Sequence, residues 1–181
     1  SGNLHGNAKA LSIGQNTTLT QLTADNEGKG HICANGGSGI AIENVGGTIV
    51  NLMMEENTKI EGTVFGLSNS GGSVGTIQIS GLLSGVLNVD GVIDSVVVLD
   101  KGKILGERTA IQNQRSAGDT RIGTINVKSG GQIWGKGING SEGIGIANAG
   151  GTIQTVAVES GGYVEGGQSG SVKGYGIFSF Y

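Results

Sequence analysis

The chain of 181 residues contains no proline, one cysteine, two histidines and few rings: one Trp, three Tyr and three Phe. Each scarcity removes a class of protein. A lone Cys33 allows no internal disulfide, so a disulfide-stapled scaffold is excluded. No run approaches the ~18 apolar residues of a membrane-spanning helix, and no signal peptide opens the chain. The hydrophobic 36% is mostly Ile, Val, Leu and Ala, which predicts a thin core rather than one built on rings. The net charge of −3 points to no class of partner. Ser1-Gly2 reads as a remnant of cloning, and the chain as a piece of something longer.

What the chain has in excess is glycine, 38 residues of it. Such a content suits disorder, but disordered chains lack the regularly placed β-branched residues that fill this one. It also opposes helices, because each interior Gly costs about 1 kcal/mol relative to Ala. A backbone-dominated, periodic β structure remains.

The period is visible in GIGIANAGGTIQTVAVESGGYVEGG (143–167) and GIAIENVGGTIVNLMMEENTKIEGT (39–63). Aligned, they define a template with Ile153, Val156, Val158, Val164 and Gly166 over Ile49, Leu52, Met54, Ile60 and Gly62. Ile93, Val96, Val98, Ile104 and Gly106 fit it without a gap, as do Ile122, Ile125, Val127, Ile133 and Gly135. A further copy, Val74, Ile77, Ile79, Leu83 and Gly85, has a turn two residues shorter, and Ala8, Leu11, Ile13 and Leu19 read as a degenerate first copy. Asn44, Asn69, Asn88 and Asn148 each stand five residues ahead of a copy and read as turn residues whose amides can also bond along a stack. Short alternations such as Ile40-x-Ile42 precede them, so each copy holds three short strands.

Copies start at residues 49, 74, 93, 122 and 153, separations of 25, 19, 29 and 31 that suit one coil of a parallel β-helix each. The expected fold is therefore all-β: a right-handed parallel β-helix, or β-solenoid, of about five to six coils with three short strands per coil. Residues 1–38 are expected as an irregular or capping N-terminal segment with a degenerate first coil, and 39–181 as regular coils with a truncated last one. The left-handed hexapeptide helix is excluded because no apolar residue recurs at every sixth position. The calcium-binding nonapeptide roll is excluded because no Asp follows the Gly-Gly pairs at its spacing. Outward turns such as Arg115–Gly118 and Gly137–Gly140 account for the unequal separations.

The segment Gly150 to Gly167, with weaker echoes at Gly46 to Gly62 and Gly123 to Gly135, resembles the passenger domains of bacterial autotransporters, secreted by the type V route. The self-associating adhesins and the vacuolating-cytotoxin-like proteins are similar in their Gly-, Asn- and Thr-rich coils without proline. The resemblance covers most of residues 39 to 181 and implies a secreted or surface-displayed segment at the outer membrane of a Gram-negative bacterium. It implies a non-enzymatic role in adhesion or self-association, with a host-cell surface, a glycan or the solenoid side of another copy as partner. A host-binding toxin-type passenger and a polysaccharide-acting β-helix enzyme are the alternatives.

Catalytic chemistry finds little support. Enzymes on β-helices group carboxylates, whereas Glu55 and Glu56 fall in a turn and read as solvated. Asp90 and Asp94 flank one strand start with no basic partner in the pattern. No G-x-S-x-G elbow occurs, and G-x-G strings lack the helix that a phosphate loop needs. No cofactor is expected. His31-x-Cys33 has metal-ligand residue types, but zinc wants three or four ligands and His5 is the one other histidine, so no metal site is expected and Cys33 reads as a small buried hydrophobe.

Charge is less even. Lys101, Lys103, Arg108, Arg115, Arg121, Lys128 and Lys136 face only Glu107 and Asp119 in the same stretch, which carries +5 while the rest of the chain carries −8. Nucleic acid is not the expected partner, since reading elements and interleaved aromatics are missing. The stretch holds one ring, Trp134, at the position after the lone apolar residue of its copy, where strand alternation points it outward. Trp134 with the seven basic residues is thus the candidate contact for an anionic glycan or an acidic partner; folding of the ring over a neighbouring loop is the bland alternative.

Overall fold

A computed structural model describes residues 3–25, 30–37 and 39–180. Ser1-Gly2 and its reading as a remnant lie outside the described residues. The described residues wind through strands, turns and bends, with no helix among them. The first coil holds β1 (Asn3–Gly6), β2 (Lys9–Ile13) and β3 (Thr18–Ala24); the second β4 (His31–Ala34), β5 (Ile40–Val45) and β6 (Thr48–Met54). The third holds β7 (Lys59–Gly62), β8 (Phe65–Ser70) and β9 (Ser73–Ile79), and the fourth β10 (Leu82–Leu83), β11 (Val86–Val89) and β12 (Val92–Val98). Then come β13 (Lys103–Gly106), β14 (Thr109–Gln114) and β15 (Arg121–Val127), followed by β16 (Gln132–Gly135), β17 (Ile144–Ala149) and β18 (Thr152–Val158). Strands β19 (Tyr163–Gly166) and β20 (Tyr175–Phe180) begin a seventh coil.

Each strand pairs in parallel with its counterpart one coil away, giving sheets of seven (A, from β1), seven (B, from β2) and six strands (C, from β3). The expected parallel β-helix with three strands per coil is the fold. Its core is one column of aliphatic residues. Ile49, Leu52, Met54, Ile77, Ile79, Val96, Val98, Ile125 and Val127 are all buried, as the template requires. Val156 and Val158 occupy the same rungs, paired with Ile125 and Val127, but are partly or largely exposed because no described coil lies over them.

The two-residue gap in the template has a local cause. In sheet C the residue after the first inward position, Val50, Gly75, Asp94, Gly123 or Gln154, drops out of the parallel pairing. The next inward residue therefore arrives after two residues instead of one.

Two readings of the sequence need correction. The first copy is Leu19, Leu22, Ala24, Ile32 and Ala34, in register with Ile49, Leu52, Met54, Ile60 and Gly62. Ala8 and Leu11 belong to the sheet B side, with Leu11 beside Ile42 and Ile13 beside Asn44. Alanine at two key positions and a longer turn after Ala24 hide this copy from alignment. Residues 3–24 accordingly form a whole coil of three strands.

The second correction concerns the asparagines. Asn44, Asn69, Asn88 and Asn113 lie inside strands, fully buried. Each donates its side-chain N–H to the next asparagine's carbonyl: Asn44 to Asn69 at 2.7 Å, then Asn69 to Asn88, Asn88 to Asn113 and Asn113 to Asn148 at 2.8 Å. The second N–H of Asn44, Asn69, Asn88 and Asn148 goes to the backbone carbonyl three residues on, at 2.8–3.0 Å. The left-handed turn residue is instead two positions later: Gly46, Gly71, Asp90 and Gly150, with φ between 50° and 71°. Asn113 escapes the sequence pattern because an extra loop separates it from Ile122.

At the lower end Ile13 fills the rung, and the Asn44 Oδ1 atom is buried without a partner. Asn88→Ala, in mid-ladder, is expected to cost about 3 kcal/mol in urea unfolding, since it orphans buried groups on both neighbours. Ile13→Asn supplies the missing donor and should stay within about 1 kcal/mol of the parent, whereas Ile49→Asn, with no amide above or below, should lose about 3 kcal/mol or more. Equal losses for Ile13→Asn and Ile49→Asn would mean the ladder contributes nothing. Val127→Asp places a charge in the column without a counter-ion and should cost roughly 4 kcal/mol by the same measurement; a parental midpoint would refute the register.

Candidate binding surface

On sheet A the inward residue of each coil is flanked by two outward ones. The leading outward row runs Lys59, Leu82, Lys103, Gln132 and Tyr163, and the trailing one includes Glu61, Leu105, Trp134 and Glu165. Trp134 is 36% and Tyr163 46% exposed. With Gln132, Glu165 and Gly161 they line a shallow hollow of about 420 Å³. Two rings thus stand on adjacent rungs with amide and carboxylate groups between them. Trp134 points outward as expected. Tyr163 escapes the sequence reading, because its position is held by Lys, Leu or Gln in the other copies; the signal is its place just before the lone apolar residue.

The seven basic residues do not form one patch. Lys103 shares the outer face of sheet A with Trp134, and Arg108 and Lys136 follow β13 and β16 at the corner towards sheet B. Arg115 and Arg121 lie at the opposite corner, between sheets B and C, while Lys101 and Lys128 occupy turns from sheet C into sheet A. Three are held in ion pairs: Lys101 with Glu56 at 3.1 Å, Arg121 with Asp94 at 3.3 Å and Lys128 with Glu159 at 2.5 Å. Among the described residues, Lys103, Arg108, Arg115 and Lys136 make none. The band girdles the coil.

A second hollow follows from unequal corner lengths. In the fourth coil only Ser84 and Gly85 join Leu83 to Val86, with Gly85 at φ 72°. Between the matched inward residues of the third and fifth coils, Ile60 to Leu67 and Ile104 to Ile111, six residues intervene instead of two. A groove of about 490 Å³ runs from Thr63, Val64 and Phe65 past Glu107 and Arg108 to Phe178 and Phe180. Its charged groups are Glu107, Arg108 and Glu142, of mixed sign.

Several acidic residues outside that groove are occupied structurally. Glu55 and Glu56 are exposed in a turn, as expected. Asp94, read as lacking a basic partner, has one in Arg121, one coil above. The Asp90 carboxylate accepts backbone N–H bonds from Ser116 at 2.7 Å and from Ala117 and Gly118 at 3.0 Å. Those bonds, from Ser116 above all and then Ala117, hold its pKa below the ordinary aspartate value. The same anchor explains why the fifth coil tolerates its extra loop. Because the folded pKa is lowered, this contribution is complete above about pH 5 and is lost as pH falls through the folded value. Asp90→Ala should speed hydrogen exchange at Ser116, Ala117 and Gly118 at neutral pH, and the parent should show the same loosening only in acid. Unchanged protection in the variant would contradict this role.

His5 lies beside Cys33 across β1 and β4, and His31 precedes Cys33 by two residues on the same strand. The ligating atoms of the three fall within 4.8 Å of one another. The expectation of no metal site rests on the shortage of ligand residues, and the fold brings these three together. No protein-family model, no curated protein and no solved structure matches the chain.

Proposed function

We propose that this chain is a non-enzymatic binding segment that acts in adhesion or self-association and contacts glycan through the outer face of sheet A. The observation that carries the reading is the pair of exposed rings, Trp134 and Tyr163, on neighbouring rungs around an open hollow. Flat rings stack on the apolar faces of sugars, while Gln132 and Glu165 offer a donor amide and an acceptor carboxylate to hydroxyls. Lys103 on the adjoining strand favours sulfated or carboxylated sugars. Surface display at a Gram-negative outer membrane rests on the resemblance of the Gly150–Gly167 segment to autotransporter passengers.

Against a polysaccharide-acting enzyme stands the employment of four carboxylates: Asp94, Glu56 and Glu159 are ion-paired and Asp90 holds a loop. The test is binding of the chain to sulfated glycosaminoglycan and to neutral glycan at two salt concentrations. Trp134→Ala and Tyr163→Ala should each weaken binding about tenfold or more. Arg115 and Arg121 changed together to Ser, on another face, should leave it unaltered. Binding to the sulfated ligand should fall as salt rises, since exposed charges are screened beyond ~8 Å at physiological ionic strength. Unchanged affinity in both ring variants would overturn the reading, as would turnover of pectic, alginate or glycosaminoglycan substrates. Vacuolation of cultured cells would favour the toxin-type alternative.

A further inference from the structure

We propose that the first two coils carry a zinc site formed by His5, His31 and Cys33, with Glu61 as the fourth ligand. Parallel stacking creates it: equivalent positions of successive coils lie one strand spacing apart, about 4.8 Å, so ligands on adjacent rungs share one ion. His5 is directly beside Cys33 in the sheet, and Cys33 directly beside Glu61. His31 stands two residues ahead of Cys33, on the same side of its strand.

The side chains already converge. The His5 Nδ1 atom is 2.6 Å from the Cys33 Sγ atom, and the two imidazole rings meet edge to face with centroids 5.5 Å apart. The His31 Nε2 atom lies 2.9 Å from a Glu61 carboxylate oxygen. That nitrogen is shielded from solvent and makes no hydrogen bond. A shielded imidazole nitrogen facing a carboxylate, beside a buried thiol, is a set of groups that lacks a common partner.

The donor set fits one class of ion. One sulfur, two imidazole nitrogens and a carboxylate oxygen suit zinc in tetrahedral coordination, whereas calcium and magnesium demand oxygen alone. Ligand atoms on one zinc lie about 3.5 Å apart, given bonds of about 2.0 to 2.3 Å. His5, His31 and Cys33 already lie within 4.8 Å of one another, and Glu61, which also faces Lys59, reaches the group through its contact with His31. His5 comes from the first coil, His31 and Cys33 from the second and Glu61 from the third. The ion therefore staples β1, the edge strand of sheet A, to the two coils above it.

The experiment is zinc titration of the chain by calorimetry, with cobalt as a spectroscopic probe and melting followed in parallel. One Zn²⁺ per chain is expected. Cobalt should give an intense near-ultraviolet thiolate charge-transfer band, and a hundredfold excess of zinc over its Kd should raise Tm on the order of 5 °C. Cys33→Ser should abolish the band, and His5→Gln, at an exposed side chain, should weaken zinc at least a hundredfold without disturbing the fold. Glu61→Gln should weaken it some ten- to hundredfold. Absence of zinc binding at micromolar concentration overturns the proposal. So does cobalt bound without a thiolate band, or affinity that survives both Cys33→Ser and His5→Gln.

Discussion

A row of amides buried in an aliphatic column sets the registration of everything else. Side chains of Ile, Val and Leu are nearly interchangeable, so an apolar column alone would permit a coil to sit one residue off with small loss. An asparagine cannot be displaced so cheaply. Moved one position, its amide would face hydrocarbon and its neighbours above and below would lose partners. With Asn44, Asn69, Asn88, Asn113 and Asn148 aligned, the apolar residues two positions earlier, Ile42, Leu67, Val86, Ile111 and Ile146, fall one above another and are fully buried. The left-handed residue two positions later then starts the turn into sheet C.

This dependence explains how much of the molecule is legible in its sequence. The template of Ile49, Leu52, Met54 and Ile60 can be read because every coil must present the same inward residues to the next. The first coil misleads where Ala24 stands in for a bulkier residue and Ala34 for the template's glycine, since alignment weighs chemistry that packing at the column's end does not require. The asparagines stand out in the sequence and their stacking can be read from it, but turn propensity, a local property, misplaces them from strand to turn. The bonds they make are to residues 19 to 35 positions away.

Candidate sites are less legible, for a reason of geometry. Clustering along the chain does not mean clustering in space when each coil passes all three faces. Lys101 to Lys136 reads as a patch and proves to be a girdle, with three members tied to acids one or two coils away. The converse also holds. His5 and Cys33 are 28 residues apart and adjacent in the sheet, and Tyr163 joins Trp134 only through registration. In a solenoid the relevant neighbour is one coil away, and the coil length varies from copy to copy.

The asparagine row has a direction. Every amide donates from the lower coil to the upper, so the side-chain dipoles add along the solenoid axis, much as peptide dipoles add along a helix. The lower terminus of the row is the unpartnered Asn44 carbonyl oxygen, and its upper terminus is the N–H side of Asn148, 3.5 Å from the Ser179 hydroxyl. The two ends of the stack are therefore electrically unlike. The one-way run of donors from Asn44 to Asn148 therefore gives the interior of this solenoid a sense of polarity along its axis.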